Sequence, residues 1–424
     1  MPDTDIHRAI DAVWRIEQAK LIAGLARIVR DVGVAEELAQ DALVVALEKW
    51  PETGIPRNPG AWLMAAARNR AIDQLRRRKV GERKYDELRR DVEDDQPDVV
   101  DELERRLDDD IGDDLLSLIF TACHPVLPTD SRVALTLRLV GGLATPEIAR
   151  AFLVAEPTIA QRIVRAKRTL SEAKVPFEVP RGVDRAERLS SVLEVVYLVF
   201  NEGYAATAGE DWIRPQLVEE ALRLGRVLAG LAPQEPEVHG LVALMEIQAS
   251  RIPARVAADG SPILLLDQNR GRWDRLLIGR GLAALARADA IGAAPGPYHL
   301  QAAIAACHAR ARTAGETDWQ RISALYAALA AINPSPVIEL NRAVAVGMAE
   351  GPAAALAIVD RLTEEPALAR YHLLPSVRAD LLARLGRYDE ARTEAERAAG
   401  MTRNARERTL LLARAATWAE AAAR

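Results

Sequence analysis

Residues 131–170 read SRVALTLRLVGGLATPEIARAFLVAEPTIAQRIVRAKRTL, and this stretch decides the fold. An apolar helical pattern stops at the two glycines of 141–142. A short helix follows, for which the sequence predicts Thr145 as the N-cap and Pro146 as the first helical residue. After a tight turn at 153–155, a second and longer helix begins. The segment therefore holds two helices joined by very few residues.

The spacing of these two helices is that of a helix-turn-helix. Ala149 is small at the position where the helices would cross, and Ile159, Ile163 and Ala166 recur at helical spacing on the predicted inner face. The outer face of the second helix is left for solvent or for a groove of DNA. Its residues are Thr158, Ala160, Gln161, Arg162, Arg165, Lys167 and Arg168.

A second helical unit precedes this one and covers residues 5–90. Its segment AEELAQDALVVALEKW, residues 35–50, predicts a helix with Leu38, Ala42, Val45 and Trp50 along one side. The polar residues of that helix are predicted to lie largely elsewhere: Glu36, Glu37, Gln40, Asp41, Glu48 and Lys49. The following loop, PETGIPRNPG, has three prolines and two glycines, which forbid a continuous helix.

A basic helix is predicted over residues 61–79, which read AWLMAAARNRAIDQLRRRK. Its apolar residues are predicted to face inward, namely Trp62, Leu63, Ala66, Ile72 and Leu75. The residues left for the outside are Arg68, Asn69, Arg70, Arg76, Arg77 and Arg78. From residue 65 to 90 there are ten Lys or Arg against four Asp or Glu, whereas residues 91–114 hold thirteen Asp or Glu against two Arg. The acidic tract reads as a linker.

The remainder, residues 185–424, is helical and rich in alanine, with a weak internal repeat. Two pairs of alanines, each pair twelve residues apart, are offset by 36 residues: Ala343 with Ala355, and Ala379 with Ala391. The second copy, GRYDEARTEAERA, matches half of a tetratricopeptide unit, with Gly386 in the turn and small residues where two helices cross. One segment of this part, residues 254–275, lacks helical periodicity; it reads ARVAADGSPILLLDQNRGRWDR. Its Gly260, Pro262 and Gly271 predict an ordered loop or a short hairpin.

Composition bounds the remaining possibilities. A length of 424 residues suggests two to three domains, and 49% hydrophobic with 28% charged residues is ordinary for a globular protein. No stretch alternates at period two, so we expect an all-α fold. The net charge of −5 confines any basic surface to a local patch. No apolar run is long enough for a membrane span and no signal peptide opens the chain, so we expect a cytoplasmic protein without membrane contact.

The sequence contains no convincing motif for catalysis or for cofactor binding. Cys123 and Cys307 are the only cysteines, and their neighbours His124 and His308 offer no further ligands at zinc spacing. We expect both cysteines to be core residues. No phosphate loop, dinucleotide fingerprint or nucleophile elbow occurs in a convincing context. The prediction is a protein that is not an enzyme and that holds neither a cofactor nor a metal ion.

The order of these segments resembles the extracytoplasmic-function sigma factors of bacterial RNA polymerase. The strings AEELAQDALVVALEKW and PGAWLMAAARNRAIDQLRRR look like region two, which binds core polymerase and melts the −10 element, and the helix-turn-helix looks like region four, which reads the −35 element. This resemblance covers about residues 5–174. The strings NPSPVIELNRAVAVGMAEGPAAALAIVDRL and YHLLPSVRADLLARLGRYDEA resemble the tetratricopeptide-like extension of a subgroup of these factors.

The resemblance implies a domain order and a set of site residues. It implies region two at 1–90, an acidic linker at 91–112, region four at 113–175 and a helical-repeat extension at 185–424. In region two it implies that Asn69 lines the pocket for a flipped −10 base and that Trp62 anchors its helix near the melting fork. Phosphate contacts would come from Arg68, Arg70, Arg76, Arg77 and Arg78. The clamp helices of the polymerase would meet Glu37, Gln40, Asp41, Val44 and Glu48.

In region four, the same resemblance gives four base-facing positions and leaves the cations for phosphates. Ala160, Gln161, Val164 and Arg165 match the base-facing positions, and Thr158 lies beside them. Arg162, Lys167 and Arg168 suit phosphates. The sequence departs from the family at Ala160, where a basic residue is common; a methyl group can contact only an apolar feature such as the thymine methyl. An inherited −35 preference is therefore not expected.

Three functions fit this reading to different degrees. The first is a promoter-specificity subunit whose partners are core RNA polymerase and promoter DNA, with a protein or peptide on the C-terminal repeats as a further candidate. The second is a helix-turn-helix regulator that works without polymerase and carries a sensory repeat domain. The third is an interaction scaffold in which the repeats are the function. The basic helix with Trp62 favours the first function, because the other two functions need no segment that melts DNA.

In a promoter-specificity subunit, the extension would either inhibit transcription or position the DNA-binding domains. We favour the positioning role.

Overall fold

A computed structural model describes residues 3–86, 111–206, 208–258 and 260–423 of the chain. These residues form eighteen α-helices and two strands of two residues each, so the all-α prediction is confirmed. They belong to two compact units, Met1–Val196 and Tyr197–Arg424. Most of the predicted acidic linker lies outside the described residues.

Seven helices and part of an eighth make up the first unit. Their bounds are α1 Asp3–Val29, α2 Val32–Thr53, α3 Pro59–Asp86, α4 Ile111–Ala122, α5 Thr129–Leu139, α6 Thr145–Phe152, α7 Glu156–Glu172 and α8 Val183–Tyr204. Helix α1 packs against α2, α3 and α4. Apolar side chains at helical spacing supply the contact, and Leu25, Trp50 and Leu63 are almost completely buried.

The start of α2 shows how local chemistry sets a helix boundary. The Asp31 carboxylate accepts hydrogen bonds from the backbone N–H groups of Gly33 and Val34, at 2.8 and 3.0 Å. These are two of the donors that no residue inside the helix can satisfy. At the other end Gly54 terminates the helix with a φ of +79°. The predicted break at PETGIPRNPG is confirmed, and α3 begins two residues before the predicted start.

The helix-turn-helix forms as predicted, with one correction at its first cap. The N-cap of α6 is Ala144 and not Thr145, because the Glu147 carboxylate reaches back and accepts the Ala144 N–H at 2.7 Å. This bond is the half of a capping box that the residue at N3 supplies. Leu153 makes the turn in the left-handed region, with φ of +50°, and Ala149 is buried.

Helix α8 belongs to the first unit as far as Val196. Arg188 donates to the Phe120 carbonyl at 2.9 Å, and the Ser191 hydroxyl donates to the Cys123 carbonyl at 2.6 Å. The apolar face of this helix is buried at Leu189, Val192, Val195 and Val196, whereas 36% of Leu198 is exposed.

The second unit continues with ten helices. Their bounds are α9 Pro215–Leu231, α10 Pro236–Ala249, α11 Arg275–Ile291, α12 Pro297–Arg310, α13 Trp319–Ile332, α14 Pro336–Ala349, α15 Pro352–Leu362, α16 Leu373–Arg384, α17 Tyr388–Met401 and α18 Ala405–Ala422. Strands β1, Ala208–Gly209, and β2, Arg403–Asn404, pair in parallel within this unit. From α13 onward, each helix packs against the next.

The alanine repeat corresponds to two successive helix pairs. Ala343 and Ala355 are buried on α14 and α15, and Ala379 and Ala391 are buried on α16 and α17. Gly386 makes the turn of the second pair with a φ of +77°, a conformation that residues with a Cβ rarely adopt. The small residues therefore lie where the sequence repeat predicts.

The irregular segment between α10 and α11 is an ordered loop with a hairpin, as predicted. Val256 and Pro262 face each other in an antiparallel bridge, and Gly260 turns the chain with a φ of +82°. The Ile263 N–H donates to the Arg255 carbonyl at 2.8 Å. Two short 3-10 turns, Ile252–Ala254 and Arg270–Arg272, complete the segment.

Candidate nucleic-acid and polymerase interfaces

The outer face of α3 presents Asn69 and Arg70 to solvent. Ala67 and Ala71 are fully buried on the same turns, so the helix is fixed to the unit on one side only. Trp62 is half-buried, and its ring meets the edge of the buried Trp50 ring with centroids 5.3 Å apart. Trp62 thus packs α3 against α2 and keeps part of its indole on the surface.

The cations predicted on α3 differ in their surroundings. Arg68 is half-buried, whereas Arg70 is exposed and its guanidinium lies 3.2 Å from the Asp41 carboxylate of α2. Arg70 was predicted to contact phosphate and Asp41 to contact polymerase, so the structure brings two predicted site residues together. This pair is solvent-exposed and contributes little to stability. The side chains of Arg76, Arg77 and Arg78 lie outside the described residues.

Helix α7 divides cleanly into a buried and an exposed side. Ile159, Ile163 and Ala166 are buried as predicted, together with Leu170. Six of the eight residues predicted to face the −35 element are exposed: Thr158, Ala160, Gln161, Val164, Arg165 and Arg168. Val164 is an apolar side chain with 64% of its surface exposed in the middle of this polar face. Such a surface can meet both polar and methyl groups of bases in a major groove.

Two predicted phosphate contacts on α7 are engaged within the protein. The Arg162 guanidinium lies 3.0 Å from the Asp130 carboxylate. Lys167 forms an ion pair with Glu36 of α2. Sequence reasoning placed both cations on an outward face, and they are only half-exposed. Arg165 and Arg168 are exposed, and the Arg168 guanidinium lies 3.4 Å from the Glu172 carboxylate on the same helix.

Helix α2 exposes a row of side chains one helical turn apart. Glu37, Asp41, Val44 and Glu48 are all exposed, at the i, i+4, i+7 spacing of one helix face. Gln40 is half-buried and donates to the Glu36 carboxylate at 2.9 Å. Four of the five predicted polymerase-contacting residues therefore share one accessible face.

Glu36 is the functional residue that the sequence reading missed. It was predicted to lie among the outward polar residues of α2, but only 2% of it is exposed. Its carboxylate accepts from the Arg138 guanidinium of α5 at 2.7 Å and pairs with the Lys167 ammonium of α7. Nothing in the local pattern signals this, because both cations are distant in sequence. Glu36 thus joins α2 to the helix-turn-helix.

Further contacts join the same two parts of the first unit. The Gln18 amide donates to the Arg138 carbonyl at 3.0 Å, and the Arg27 guanidinium lies 3.4 Å from the Asp114 carboxylate. A more exposed pair forms between Arg15 and Glu147, at 3.3 Å. These interactions place the N-terminal helices directly against the helix-turn-helix.

Comparison with known proteins accounts for this arrangement of faces. Residues 15–80 match the family model for Sigma-70 region 2, and residues 117–170 match that for Sigma-70, region 4. Residues 188–289 match a family of unknown function, DUF6596. An uncharacterized protein of Rhizobium meliloti (strain 1021) is 45% identical over 399 residues, which cover 94% of this chain and 93% of that protein. The chain belongs to the ECF-like sigma factors that carry a C-terminal extension.

The sigma factor holds its two regions in one compact unit. The region 2 match contains α2 and the face of α3, and the region 4 match contains the helix-turn-helix. These regions imply binding to core RNA polymerase and to promoter DNA. The match to the family of unknown function begins at residue 188, inside α8, which follows the region 4 match.

The remaining reactive groups of the sigma factor lie in its core. Cys123 and Cys307 are buried, as predicted; burial raises the pKa of Cys123 to about 11 and also raises that of Cys307, so both thiols stay protonated. In the described ranges, no group of three or more His, Cys, Asp or Glu side chains is placed to hold a metal ion. Among the helices of those same ranges, none has the length and apolar character that a membrane crossing requires.

Proposed function

We propose that this sigma factor directs core RNA polymerase to promoters by using three exposed faces of its first unit. Asn69 on α3 receives an unstacked base of the −10 element, and α7 reads the −35 element through Gln161, Val164 and Arg165. The row on α2 that includes Asp41 binds the polymerase. The observation that carries the proposal is the exposure of all three faces on one unit whose opposite sides are packed.

The proposal extends to the organisation of the chain. We propose region two at 1–90, a linker at 91–112, region four at 113–175 and the extension at 185–424. The protein assists melting by capturing bases and needs no covalent chemistry, and it works in the cytoplasm, where its promoter lies. The helical pairs of the extension offer a surface for a protein or peptide partner.

Dependence on polymerase is the experiment that tests this function. The whole chain carries a net charge of −5, so its free form has weak general attraction for DNA. We expect little sequence-specific binding to duplex promoter by the protein alone, and tight binding once core polymerase is added. Mobility-shift assays with and without the core measure this. Tight specific binding by the free protein would instead support a polymerase-independent regulator.

Replacing Asn69 with alanine should impair promoter opening more than initial binding to duplex DNA. The side chain is exposed on α3 and can engage a base only after that base has left the stack. Permanganate reactivity of thymines near the start site measures opening, and a mobility shift on closed duplex measures binding. An unchanged opening rate would remove Asn69 from the site.

Replacing Arg165 with alanine should produce the opposite pattern and therefore serves as the matched control. A bidentate contact from Arg165 to one base pair is worth about 1–3 kcal/mol of discrimination. We expect that loss at a single −35 position, with opening on the remaining sequences unaffected. Binding to a panel of single-base −35 variants measures it. A uniform loss over the panel would show that Arg165 contacts phosphate and not a base.

A further inference from the structure

The irregular segment between α10 and α11 carries three buried arginines that the proposed function does not use. Arg251, Arg255 and Arg270 have 8%, 7% and 6% of their surface exposed. Arginine is almost never buried to this degree unless a partner compensates its charge. The partners of these three side chains therefore show what the segment is built to hold.

Two of the three guanidinium groups donate hydrogen bonds to neutral groups of the protein. Arg255 donates to the Tyr204 carbonyl, and its Cζ lies 3.6 Å from the centre of the Tyr204 ring. Arg270 donates to the carbonyls of His308 and Ala311 at 2.8 and 2.9 Å, and to the Thr317 hydroxyl at 2.9 Å. These bonds hold the loop in place.

Arg251 differs from both. Its guanidinium carbon lies 5.3 Å from the centre of the Trp273 ring, and that of Arg270 lies 5.0 Å from the same ring. Within the described residues, no hydrogen bond or ion pair holds the Arg251 guanidinium; its Nε is buried without a partner, as is the Nε of Arg270. An aromatic face attracts the cation only weakly in comparison with the hydration that it has lost.

The surroundings of Arg251 are strongly positive. In the part of the chain that the structure describes, no carboxylate forms an ion pair with Arg251, Arg255 or Arg270; Glu316 acts on the pKa of Arg270 only as a nearby charge. Burial, together with the charges of Arg251 and Arg270, lowers the pKa of His308 to about 3. His308 is therefore neutral and adds no charge. A cluster of this kind is stabilised by an anion.

We propose that Arg251 anchors a binding site for a small anion with a carboxylate or phosphate group, held in the extension between the irregular segment and α12. The planar guanidinium presents paired N–H donors that match either group. Arg270 and Arg255 add positive charge nearby and are already fixed by their own bonds, so the site is preorganised. The proposal concerns binding by the extension and stands whether or not the promoter function is correct.

Thermal unfolding of the full-length protein tests the site. Inorganic phosphate and succinate are titrated separately against sodium chloride at constant ionic strength, so that only specific binding shifts the transition. We expect at least one of the two anions to raise the melting temperature by several degrees, with saturation, because it binds the folded state alone. Whichever anion acts identifies the acidic group that the site prefers.

Two variants separate the proposal from a structural role of Arg251. Arg251→Met removes the charge but keeps the aliphatic length; we expect it to melt at or above the wild-type temperature in chloride and to lose the shift by the anion. Arg272→Gln, an exposed position of the same segment, should keep the shift. The proposal is overturned if Arg251→Met melts below the wild type in chloride, if neither anion shifts the wild type, or if Arg272→Gln loses the shift as well.

Discussion

Ending the chain after residue 180 should destabilise region 4, whereas ending it after residue 204 should not. The reason is that α8 completes the first unit as far as Val196. Arg132 of α5 is buried, and its guanidinium donates to the Ser191 hydroxyl and lies 3.0 Å from the Glu194 carboxylate. A chain that ends at 180 keeps Arg132 and its bond to the Thr129 hydroxyl but removes Ser191 and Glu194.

The size of this effect follows mainly from the apolar surface that α8 covers. The lost Arg132–Glu194 pair contributes only about 1 kcal/mol, because removing α8 also opens the guanidinium to water. Domains of this kind are stable by only about 5–15 kcal/mol in total. The loss of buried apolar side chains such as Leu189 and Val192 makes up the larger part of the cost. We therefore expect the shorter chain to lose much of the cooperative unfolding of region 4.

Urea unfolding followed by circular dichroism compares the two truncated chains. We expect 1–204 to unfold in a clear transition and 1–180 to unfold at a markedly lower urea concentration. Equal midpoints would show that α8 does not support region 4.

The role of the extension in transcription is best tested with the 1–204 chain, because a loss of activity in the 1–180 chain could come from unfolding alone. We expect that chain to be folded but deficient in run-off transcription if the extension positions the DNA-binding regions, and more active than full length if the extension inhibits.

The spacing of residues along the sequence correctly predicted contacts within one helix or between two neighbouring helices. The buried side of α7, with Ile159, Ile163 and Ala166, follows from residues three and four apart on one helix. The helix pair around Gly386 follows in the same way from small residues at a fixed offset and a turn residue that tolerates positive φ. In both cases the signal and the contact lie within one or two neighbouring helices.

The predictions failed where the deciding partner is distant or reaches back along the chain. Glu36 has the composition of a surface residue, and its burial depends on Arg138, which is 102 residues away. The cap of α6 was misplaced by one residue because the Glu147 side chain satisfies the Ala144 N–H. Arg251 lies three residues before the stretch predicted as an ordered loop, and the sequence reading did not single it out. Pairings of this kind are set by the tertiary structure, and a local sequence pattern does not contain them.

Replacing Glu36 with glutamine should loosen the contact between regions 2 and 4. The change keeps the shape of the side chain but removes the charge that Arg138 and Lys167 share, and it leaves those two cations near each other. Both cations retain some exposure to water, so we expect a loss of about 2 kcal/mol in the free energy of unfolding of the first unit. Glu37→Gln, an exposed neighbour, is the matched control and should change that free energy by less than about 0.5 kcal/mol. Urea unfolding measures both free energies. Equal losses would show that the ion pairs of Glu36 stabilise the unit no more than the exposed Glu37 carboxylate does.

The same variant tests how the sigma factor reaches two promoter elements at once. Elements centred near −35 and −10 are roughly 25 base pairs apart, which is on the order of 85 Å at 3.4 Å per base pair. Regions 2 and 4 touch through Glu36, so the proposed reading of both elements requires this contact to break on the promoter. Spin labels on Ala65→Cys and Arg168→Cys, both exposed positions, report the separation. We expect a short distance in the free protein, a long one with core polymerase and promoter, and a partly long population in free Glu36→Gln. A short distance in the full promoter complex would show that the two regions stay together and that only one element is read.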